Sequence, residues 1–375
     1  MKRLLTALVG GGLMTILAVG SPANSRSQAS PCAGVRSIGL LAPMSGDVAF
    51  LGREQRNWAR LAVLRYNGRR AKRVRLVEAD TALDPARATV RAEELVANPR
   101  VLAVVGPAGS DEVPAVATAF KRARMGFVSG SATRASLTNG ANPGFFRVVP
   151  SANLQAPTVV AFMISRLHVR KVIVVDDQTS YSAPLADTVE HQLEARDVKV
   201  DRESVRPSQT NYSSIVLKID RSTSAVFLPW QNPARAQSFG QQMQTRGKRV
   251  PIFGTDGLFS DEFRIKGSFV SMFAPDYRRI GAARAIVRDY NRRYGSNWSV
   301  FGAPTYVAAQ VAIAAVERAC RDGRATRVEV RTQLARIRLR SSALGIPVSF
   351  TRRGDLARAR FFVYRFTGTK FVLVR

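Results

Sequence analysis

The stretch from Leu102 to Thr138 limits the possible folds of this chain more than any other. Its residues predict, in order, a strand, a loop of small polar residues, a helix, a second strand and a second small polar loop. The apolar run Leu102–Val105 is short enough to be a buried parallel strand. In open α/β sheets, ligands bind beyond the carboxyl ends of the strands. Both loops would therefore present hydroxyls and backbone N–H groups there, which suit holding a small polar or anionic molecule rather than breaking a bond.

Strand and helix patterns alternate along most of the chain. One series of such units runs from about residue 37 to 150, and a second follows from about 151 to 257. Further on, Tyr306–Arg321 predicts a strongly apolar helix, and residues 348–375 alternate like an antiparallel hairpin with its turn at Thr367–Thr369. The pattern predicts an α/β protein with two domains of ordinary size.

The N-terminus has the layout of a secretory signal peptide. Lys2 and Arg3 precede a mostly apolar run from Leu4 to Val19. This run is shorter than the roughly 20 residues that a membrane-spanning helix needs. We expect residues 1–23 to be a cleaved signal and 24–35 a polar leader, which places the mature chain in the periplasm or outside the cell. An uncleaved membrane anchor is the alternative.

The chain is strongly basic. Its 57 Lys and Arg outnumber its 27 Asp and Glu, so the formal net charge is +30. Such an excess raises the question of a nucleic-acid partner. The cations are spread along the chain without a block of five like charges, and no nucleic-acid motif accompanies them. We therefore expect no nucleic-acid partner; the basic surface favours anionic polymers of the cell surface instead.

The sequence lacks the motifs of catalytic and metal sites. Cys32 and Cys320 are too few and too far apart for a structural zinc site, and in an exported chain they suggest one disulfide. A lipid anchor on Cys32 is disfavoured because a proline precedes it. The only histidines, His168 and His191, have no catalytic motif nearby, and there is no Gly-x-Ser-x-Gly elbow or His-Glu-x-x-His. We expect neither an enzyme nor a bound cofactor or metal.

Nine segments, by their order and spacing, resemble the type I periplasmic substrate-binding proteins of the leucine/isoleucine/valine-binding group, which serve branched-chain amino acid ABC transporters. The similar features run from about Ile38 to the C-terminus. The segments are IGLLAPMSGDVAFLG (38–52), DTALDPARATVRAEELV (80–96), VVGPAGS (104–110), SGSATRASLT (129–138), FFRVVPS (145–151), VVDDQTSYS (174–182), NYSSIVLKI (211–219), FGTDG (253–257) and TYVAAQVAIAAVERA (305–319).

The resemblance implies two lobes, each a doubly wound parallel-sheet domain, joined by three hinge crossovers with the ligand between them. The N-terminal lobe would comprise residues 36–150 plus 276–342, and the C-terminal lobe residues 151–275 plus 343–375. A proline lies near each proposed crossing: Pro150, Pro275 and Pro347. The resemblance also places Cys320 in the lobe that Cys32 precedes, which favours a Cys32–Cys320 disulfide.

The resemblance assigns ligand-binding roles in the N-terminal lobe to three residues. Ser110 would contribute a hydroxyl from the first loop. This loop is one residue shorter than in the family, so Gly109 or Asp111 could take the place of Ser110. Ser131 and Thr133 in the second loop would hold the ammonium and carboxylate of the ligand. A plain helix N-cap is the alternative role for these two residues.

In the C-terminal lobe, the resemblance makes Tyr181 the residue that closes over the ligand. Asp256 takes the place of the family's glutamate, the partner of the ammonium, and is one methylene shorter. The family's second aromatic residue falls at Gln231, beside Trp230, and this departure leaves the identity of the ligand open. Simple packing is the alternative role for Tyr181 and Trp230.

Two classes of function follow. The first is a monomeric solute-binding protein that captures a small polar ligand, foremost a branched-chain amino acid, and delivers it to the membrane permease of an ABC importer. The second is an extracytoplasmic sensor or orphan binder of an amide or small carboxylate on the same fold. A hydrolase is a distant third, because the residues of a hydrolytic site are missing.

Overall fold

The structure, a computed structural model, describes residues 32, 34–68 and 73–374. The signal peptide predicted at residues 1–23 lies outside the described residues, as does most of the predicted leader. Within the described ranges, every helix is too short or too polar to cross a membrane.

Five parallel strands form the sheet of the N-terminal lobe. They are β1 (Arg36–Ala42), β2 (Val74–Asp80), β3 (Val101–Val105), β4 (Gly126–Ser129) and β5 (Phe145–Arg147). Their spatial order is β2-β1-β3-β4-β5. Three helices connect the first four strands: α1 (Ala49–Asn67), α2 (Pro85–Ala97) and α3 (Glu112–Arg122). The strand, loop, helix and strand predicted from Leu102 onward are therefore β3, α3 and β4.

The C-terminal lobe repeats this architecture. Its parallel strands are β6 (Lys171–Asp176), β7 (Lys199–Ser204), β8 (Ala225–Leu228), β9 (Ile252–Gly254) and β10 (Phe269–Met272). The helices are α4 (Gln155–Leu167), α5 (Ser182–Glu194), α6 (Ser213–Lys218) and α7 (Pro233–Thr245). Strands β6 and β8 are continuous runs of buried residues, because helices cover both faces of a parallel sheet.

The chain then returns to the N-terminal lobe through α8 (Arg284–Tyr294), α9 (Ala303–Ala319) and α10 (Arg327–Ala335). Helix α9, which the sequence predicts from Tyr306 onward, is almost wholly buried. Beside it lies an aromatic cluster in which Trp58 stacks on Tyr290 at a ring-centroid distance of 4.0 Å and meets Trp298 edge-on at 5.0 Å. This core joins α1, α8 and α9 to the sheet.

Several helices begin at residues that the sequence marks as caps. The Asp84 side chain accepts a hydrogen bond from the Arg87 N–H at 2.6 Å, and proline follows Asp84 at the first helical position of α2. Asn232 caps α7 in the same way. At α10, Thr326 and Glu329 form a reciprocal capping box. Such local contacts define the residue at which each helix starts.

Four short strands end the chain: β11 (Arg338–Leu339), β12 (Val348–Ser349), β13 (Phe362–Phe366) and β14 (Phe371–Leu373). Strands β13 and β14 form the predicted hairpin, and β13 pairs antiparallel with β10. The second sheet therefore has the order β14-β13-β10-β9-β8-β6-β7.

The third crossover lies further along the chain than the sequence analysis places it. Leu344, Val348 and Leu356 belong to the apolar core of the N-terminal lobe, although residues from 343 onward were expected in the C-terminal lobe. The backbone N–H of Arg147 in β5 donates to the Gly354 carbonyl at 3.0 Å, which holds this segment against the first sheet. Beyond this segment, Phe361 is the first residue that belongs to the apolar cluster of the C-terminal lobe.

Cys32 and Cys320 are joined in a disulfide that spans 288 residues of sequence. Both side chains are buried in the core of the N-terminal lobe, and Cys320 directly follows α9. The bond therefore ties the residues just before β1 to the end of the central helix of the same lobe.

We expect the double variant Cys32→Ser/Cys320→Ser to lose about 2–4 kcal/mol of unfolding free energy, because the unfolded chain regains loop entropy. Thermal unfolding without reductant should show a lower melting temperature than that of the wild type. Dithiothreitol should lower the wild-type value to that of the variant and leave the variant unchanged. Equal melting temperatures without reductant, with two titratable thiols in the unfolded wild type, would contradict the disulfide.

Candidate ligand-binding site

The loops that follow β1, β3 and β4 lie at the carboxyl edge of the first sheet. Asp80, at the end of β2, holds the first of them. Its Oδ1 accepts hydrogen bonds from the backbone N–H of Met44 at 2.7 Å and of Ser45 at 3.1 Å, and its Oδ2 accepts from the Ser45 hydroxyl at 2.6 Å. Arg87 pairs with the same carboxylate at 2.6 Å. The loop is thus fixed before any ligand arrives.

Serine hydroxyls connect the second and third loops. Ser129 Oγ donates to the Pro107 carbonyl at 2.7 Å. Ser131 Oγ donates to the Ala108 carbonyl at 2.8 Å and accepts from Gln55 Nε2 of α1 at 2.9 Å. The Ser131 hydroxyl is therefore used within the lobe, which leaves the Ser131 carbonyl as the group available to a ligand.

Ser110 and Thr133, by contrast, keep capacity for hydrogen bonds. Ser110 Oγ accepts from the Arg134 N–H at 3.2 Å and still has its own proton to donate. The Thr133 hydroxyl makes no hydrogen bond within the described part of the chain. Both residues are nearly buried, at 4% and 1% exposure. The structure thus brings together the three residues predicted in this lobe. The Ser131 hydroxyl fixes the loops, whereas the hydroxyls of Ser110 and Thr133 can still donate a hydrogen bond.

Arg147 organises the loop that carries Thr133, a role that the sequence analysis does not foresee. Its guanidinium is fully buried and donates to the carbonyls of Thr133 at 2.9 Å and Arg134 at 2.8 Å. It also donates to the Thr138 hydroxyl at 2.9 Å and pairs with Asp355 at 2.6 Å. Burial lowers the pKa of Arg147, and the attraction of Asp355 opposes this shift. Arginine nevertheless stays charged in proteins.

Across from these loops, Asp256 and Tyr181 are hydrogen-bonded to each other. Asp256 Oδ1 accepts from the Tyr181 hydroxyl at 2.8 Å and from Gln155 Nε2 at 2.8 Å. Gln155 also donates to the Ser271 hydroxyl at 3.0 Å. Asp256 Oδ2 accepts no hydrogen bond from another described residue. Burial raises the pKa of Asp256 to about 6, even though the Tyr181 and Gln155 hydrogen bonds favour its charged form.

Trp230 and Gln231 occupy different surroundings. The Trp230 indole is fully buried; its N–H donates to the Val175 carbonyl at 2.8 Å and its ring packs against Tyr212 and Phe239. Gln231 is partly exposed and passes close to Gly257, where a Cβ would come within 2.8 Å of the Gln231 carbonyl oxygen. Trp230 therefore contributes to the core of its own lobe, while the backbone of Gln231 lies next to the Asp256 loop.

One arginine connects the two walls. Arg134, next to Thr133, pairs with Asp111 of its own lobe at 2.8 Å and also donates to the hydroxyl of Ser180, in the opposite lobe beside Tyr181. Val48 and Leu51, at the start of α1, add apolar contact because they belong to the buried cluster of the C-terminal lobe. A second polar contact between the lobes is the hydrogen bond from the Ala152 N–H to the Thr133 carbonyl at 2.7 Å, close to the first crossover.

The site residues that the sequence does not predict differ in the local signal they carry. Arg134 lies inside the quoted segment SGSATRASLT, and Arg147 inside FFRVVPS. Gln55 and Gln155 carry no local signal, because their partners Ser131 and Asp256 lie 76 and 101 residues away in sequence. Within the described ranges, no group of three or more His, Cys, Asp or Glu could hold a metal ion.

Comparison with known proteins agrees with this architecture. The Leu/Ile/Val-binding protein BraC3 of Rhizobium johnstonii is 25% identical over 347 residues, covering 90% of this chain and 93% of BraC3. The crystal structure of the leucine-binding protein LivK from Thermotoga maritima superposes with a TM-score of 0.82 at 20% identity, covering 91% of this chain and 98% of LivK. A solute-binding protein of Rhodopseudomonas palustris, solved in complex with benzoate, superposes with a TM-score of 0.79 at 18% identity, covering 91% of this chain and 96% of its own.

The family model of the periplasmic binding proteins matches residues 36–370, which is nearly all of the described chain. The fold is the two-lobe, type I arrangement that these relatives share, and the relatives are named for binding rather than for catalysis. On this evidence, the chain belongs to the periplasmic binding protein family.

Proposed function

We propose that this protein is an extracytoplasmic solute-binding protein that captures an amino acid between its lobes and delivers it, as a monomer, to the permease of an ABC importer. One observation carries the choice of ligand: hydroxyl donors at Ser110 and Thr133 are unused on one wall, and Asp256 Oδ2 has no partner from another described residue on the other. Hydroxyl donors suit an α-carboxylate, and a carboxylate oxygen suits an α-ammonium group.

The roles of the individual residues follow from this assignment. Ser110 and Thr133 hold the carboxylate, and the free carbonyl of Ser131 accepts from the ammonium. Asp256 supplies the countercharge, while Tyr181 and Gln155 hold Asp256 in position. Relatives named for binding leucine, isoleucine and valine, such as BraC3, support a branched-chain ligand. The cycle involves binding, closure and release without a chemical step.

A small carboxylate without an ammonium group is the second candidate. Asp256 has a pKa of about 6, so protonation close to neutral pH is within reach and a ligand without a positive charge can be accommodated. Gln231, at the position where the family resemblance expects an aromatic residue, changes the lining next to this loop. The benzoate complex of the Rhodopseudomonas palustris relative shows that the same fold holds such a ligand.

We expect Asp256→Asn to weaken binding of an amino acid by more than tenfold, because losing a buried charge partner costs about 2–5 kcal/mol. The asparagine Oδ1 still accepts from Tyr181 and Gln155, so the fold is kept. A thermal-shift screen of amino acids, amides and small carboxylates identifies the ligand, and calorimetry then compares wild type, Asp256→Asn and Thr133→Val. Asp261→Asn, an exposed aspartate of the same lobe, is the matched control and binds like the wild type.

The outcomes separate the candidates. If Asp256→Asn and Thr133→Val both bind the best ligand as tightly as the wild type does, the site assignment is wrong. If Asp256→Asn binds the best ligand as tightly as the wild type while Thr133→Val binds it more weakly, the ligand lacks an ammonium group and the small carboxylate is the better assignment.

We expect the affinity for an amino acid to fall by about tenfold between pH 7.5 and pH 5, because an unliganded Asp256 with a pKa of about 6 must release its proton to pair with an ammonium. Asp256→Asn should lack this dependence.

The pH dependence of folding stability has the opposite sign. The folded chain holds this proton more tightly than the unfolded chain, so ionisation of Asp256 costs stability as the pH rises from about 4 through 6. Without ligand, Asp256→Asn should melt above the wild type at pH 7.5, by a margin that shrinks at pH 5.

We expect Arg134→Ala to speed ligand release by about two- to fivefold. The variant loses the partly exposed contact with Ser180, and such a contact contributes about 0.2–1 kcal/mol. Stopped-flow release rates measure the change, and small-angle scattering of the ligand-free protein should show a more open population. Arg122→Ala removes another arginine of the same lobe, whose partner Glu93 also lies within that lobe, and serves as control. Release from Arg134→Ala at the wild-type rate would show that the Ser180 contact does not hold the lobes together.

A further inference from the structure

The hinge contains a cavity that is separate from the ligand cleft. Its volume is about 580 Å³, within the range of about 300–1,000 Å³ that is typical of small-molecule sites. All three crossovers line it: Val148 and Pro150 at the first, Phe273 and Pro275 at the second, and Arg358, Ala359 and Arg360 at the third. Leu344, Ile346 and Leu356, from the segment before the third crossover, complete the apolar wall. None of the seven residues predicted to bind the cleft ligand takes part. We call this cavity the hinge groove.

The lining of the hinge groove combines an apolar body with a cationic edge. The apolar side chains include Val148, Phe273, Leu344, Ile346, Leu356 and Phe362. The charged lining residues are Arg358 and Arg360, both exposed. Arg360 lies over the Phe362 ring at 4.9 Å from its centroid. Within the described ranges, neither arginine pairs with a carboxylate.

The nearby carboxylates are already engaged. Asp276, next to the lining residue Pro275, pairs with Arg278 at 2.7 Å. Asp355, next to the lining residue Leu356, pairs with the buried Arg147 at 2.6 Å. The two arginines of the groove are therefore left without local compensation in a chain that already carries a net charge of +30.

We propose that the hinge groove binds a small amphipathic carboxylate, whose apolar body lies against the crossovers while its carboxylate pairs with Arg358 and Arg360. A cation or a neutral hydrocarbon would leave the arginines unpaired, and a strongly polar anion would not use the apolar wall. The volume suits a molecule the size of a medium-chain fatty acid.

Occupation of the hinge groove is coupled to closure of the cleft. The three crossovers are the segments whose relative positions change when two such lobes open, so the shape of the groove depends on the lobe angle. A carboxylate bound there therefore changes the affinity of the cleft ligand, and the cleft ligand changes the affinity of the groove by the same factor. This coupling rests on the proposed function, whereas binding in the groove does not.

Calorimetry with decanoate, 1-decanol and decyltrimethylammonium tests the proposal on the mature chain. We expect the wild type to bind decanoate about fivefold more tightly than either analogue. Only decanoate can pair with the two arginines, and an exposed charge pair contributes about 1 kcal/mol. Arg358→Gln/Arg360→Gln should lose this preference. Arg352→Gln/Arg353→Gln, which changes two exposed arginines of the same segment outside the groove, is the matched control and should keep it.

Three results would overturn the proposal. The first is no decanoate binding by the wild type. The second is equal weakening by both arginine pairs, which would indicate general attraction to a basic surface. The third is loss of decanoate binding in Thr133→Val, which would place decanoate in the cleft. If decanoate binds as expected but leaves the affinity of the cleft ligand unchanged, the coupling is wrong while the site remains.

Discussion

The buried guanidinium of Arg147 is the interaction on which the cleft depends. It holds the backbone of the Thr133 loop through the carbonyls of Thr133 and Arg134, and it reaches Asp355 in the segment that precedes the last crossover. A buried charge is tolerated only when it is paired and hydrogen-bonded, and this one is both. Removing it would leave Asp355 without its cationic partner and the Thr133 and Arg134 carbonyls without the guanidinium donor, so the binding loop and the hinge segment share one support.

The strength of contacts within each lobe contrasts with the weakness of contacts between them. Each lobe has its own sheet and buried core, and the disulfide ties the N-terminal lobe internally. Between the lobes, polar contacts include the Arg134–Ser180 link and the hydrogen bond from Ala152 to the Thr133 carbonyl, and residues at the start of α1 and before α9 add apolar contact. This distribution suits a protein that must open without unfolding, because little free energy is lost when two rigid lobes separate.

Much of the fold could be predicted because it rests on local signals. The apolar runs of β3 and β4, the polar loops after them and the terminal hairpin are visible in sequence, and cap residues such as Asp84 mark helix starts. The third crossover could not be placed in this way. The segment around Gly354 has no strong pattern of its own, and its position is set by backbone hydrogen bonding to Arg147, more than 200 residues earlier.

The features of the candidate site can likewise be separated into those that the sequence predicts and those that depend on tertiary contacts. The sequence by itself determined which residue types the loops present, including the hydroxyls of Ser110, Ser131 and Thr133 and the carboxylate of Asp256. Tertiary structure decided which of these groups remain free: Gln55 and the Ala108 carbonyl use the Ser131 hydroxyl, whereas the Thr133 hydroxyl stays unbonded within the described residues. The physical reason is that a hydrogen bond satisfies a group only when its partner is brought close, and the partners here lie far apart along the chain.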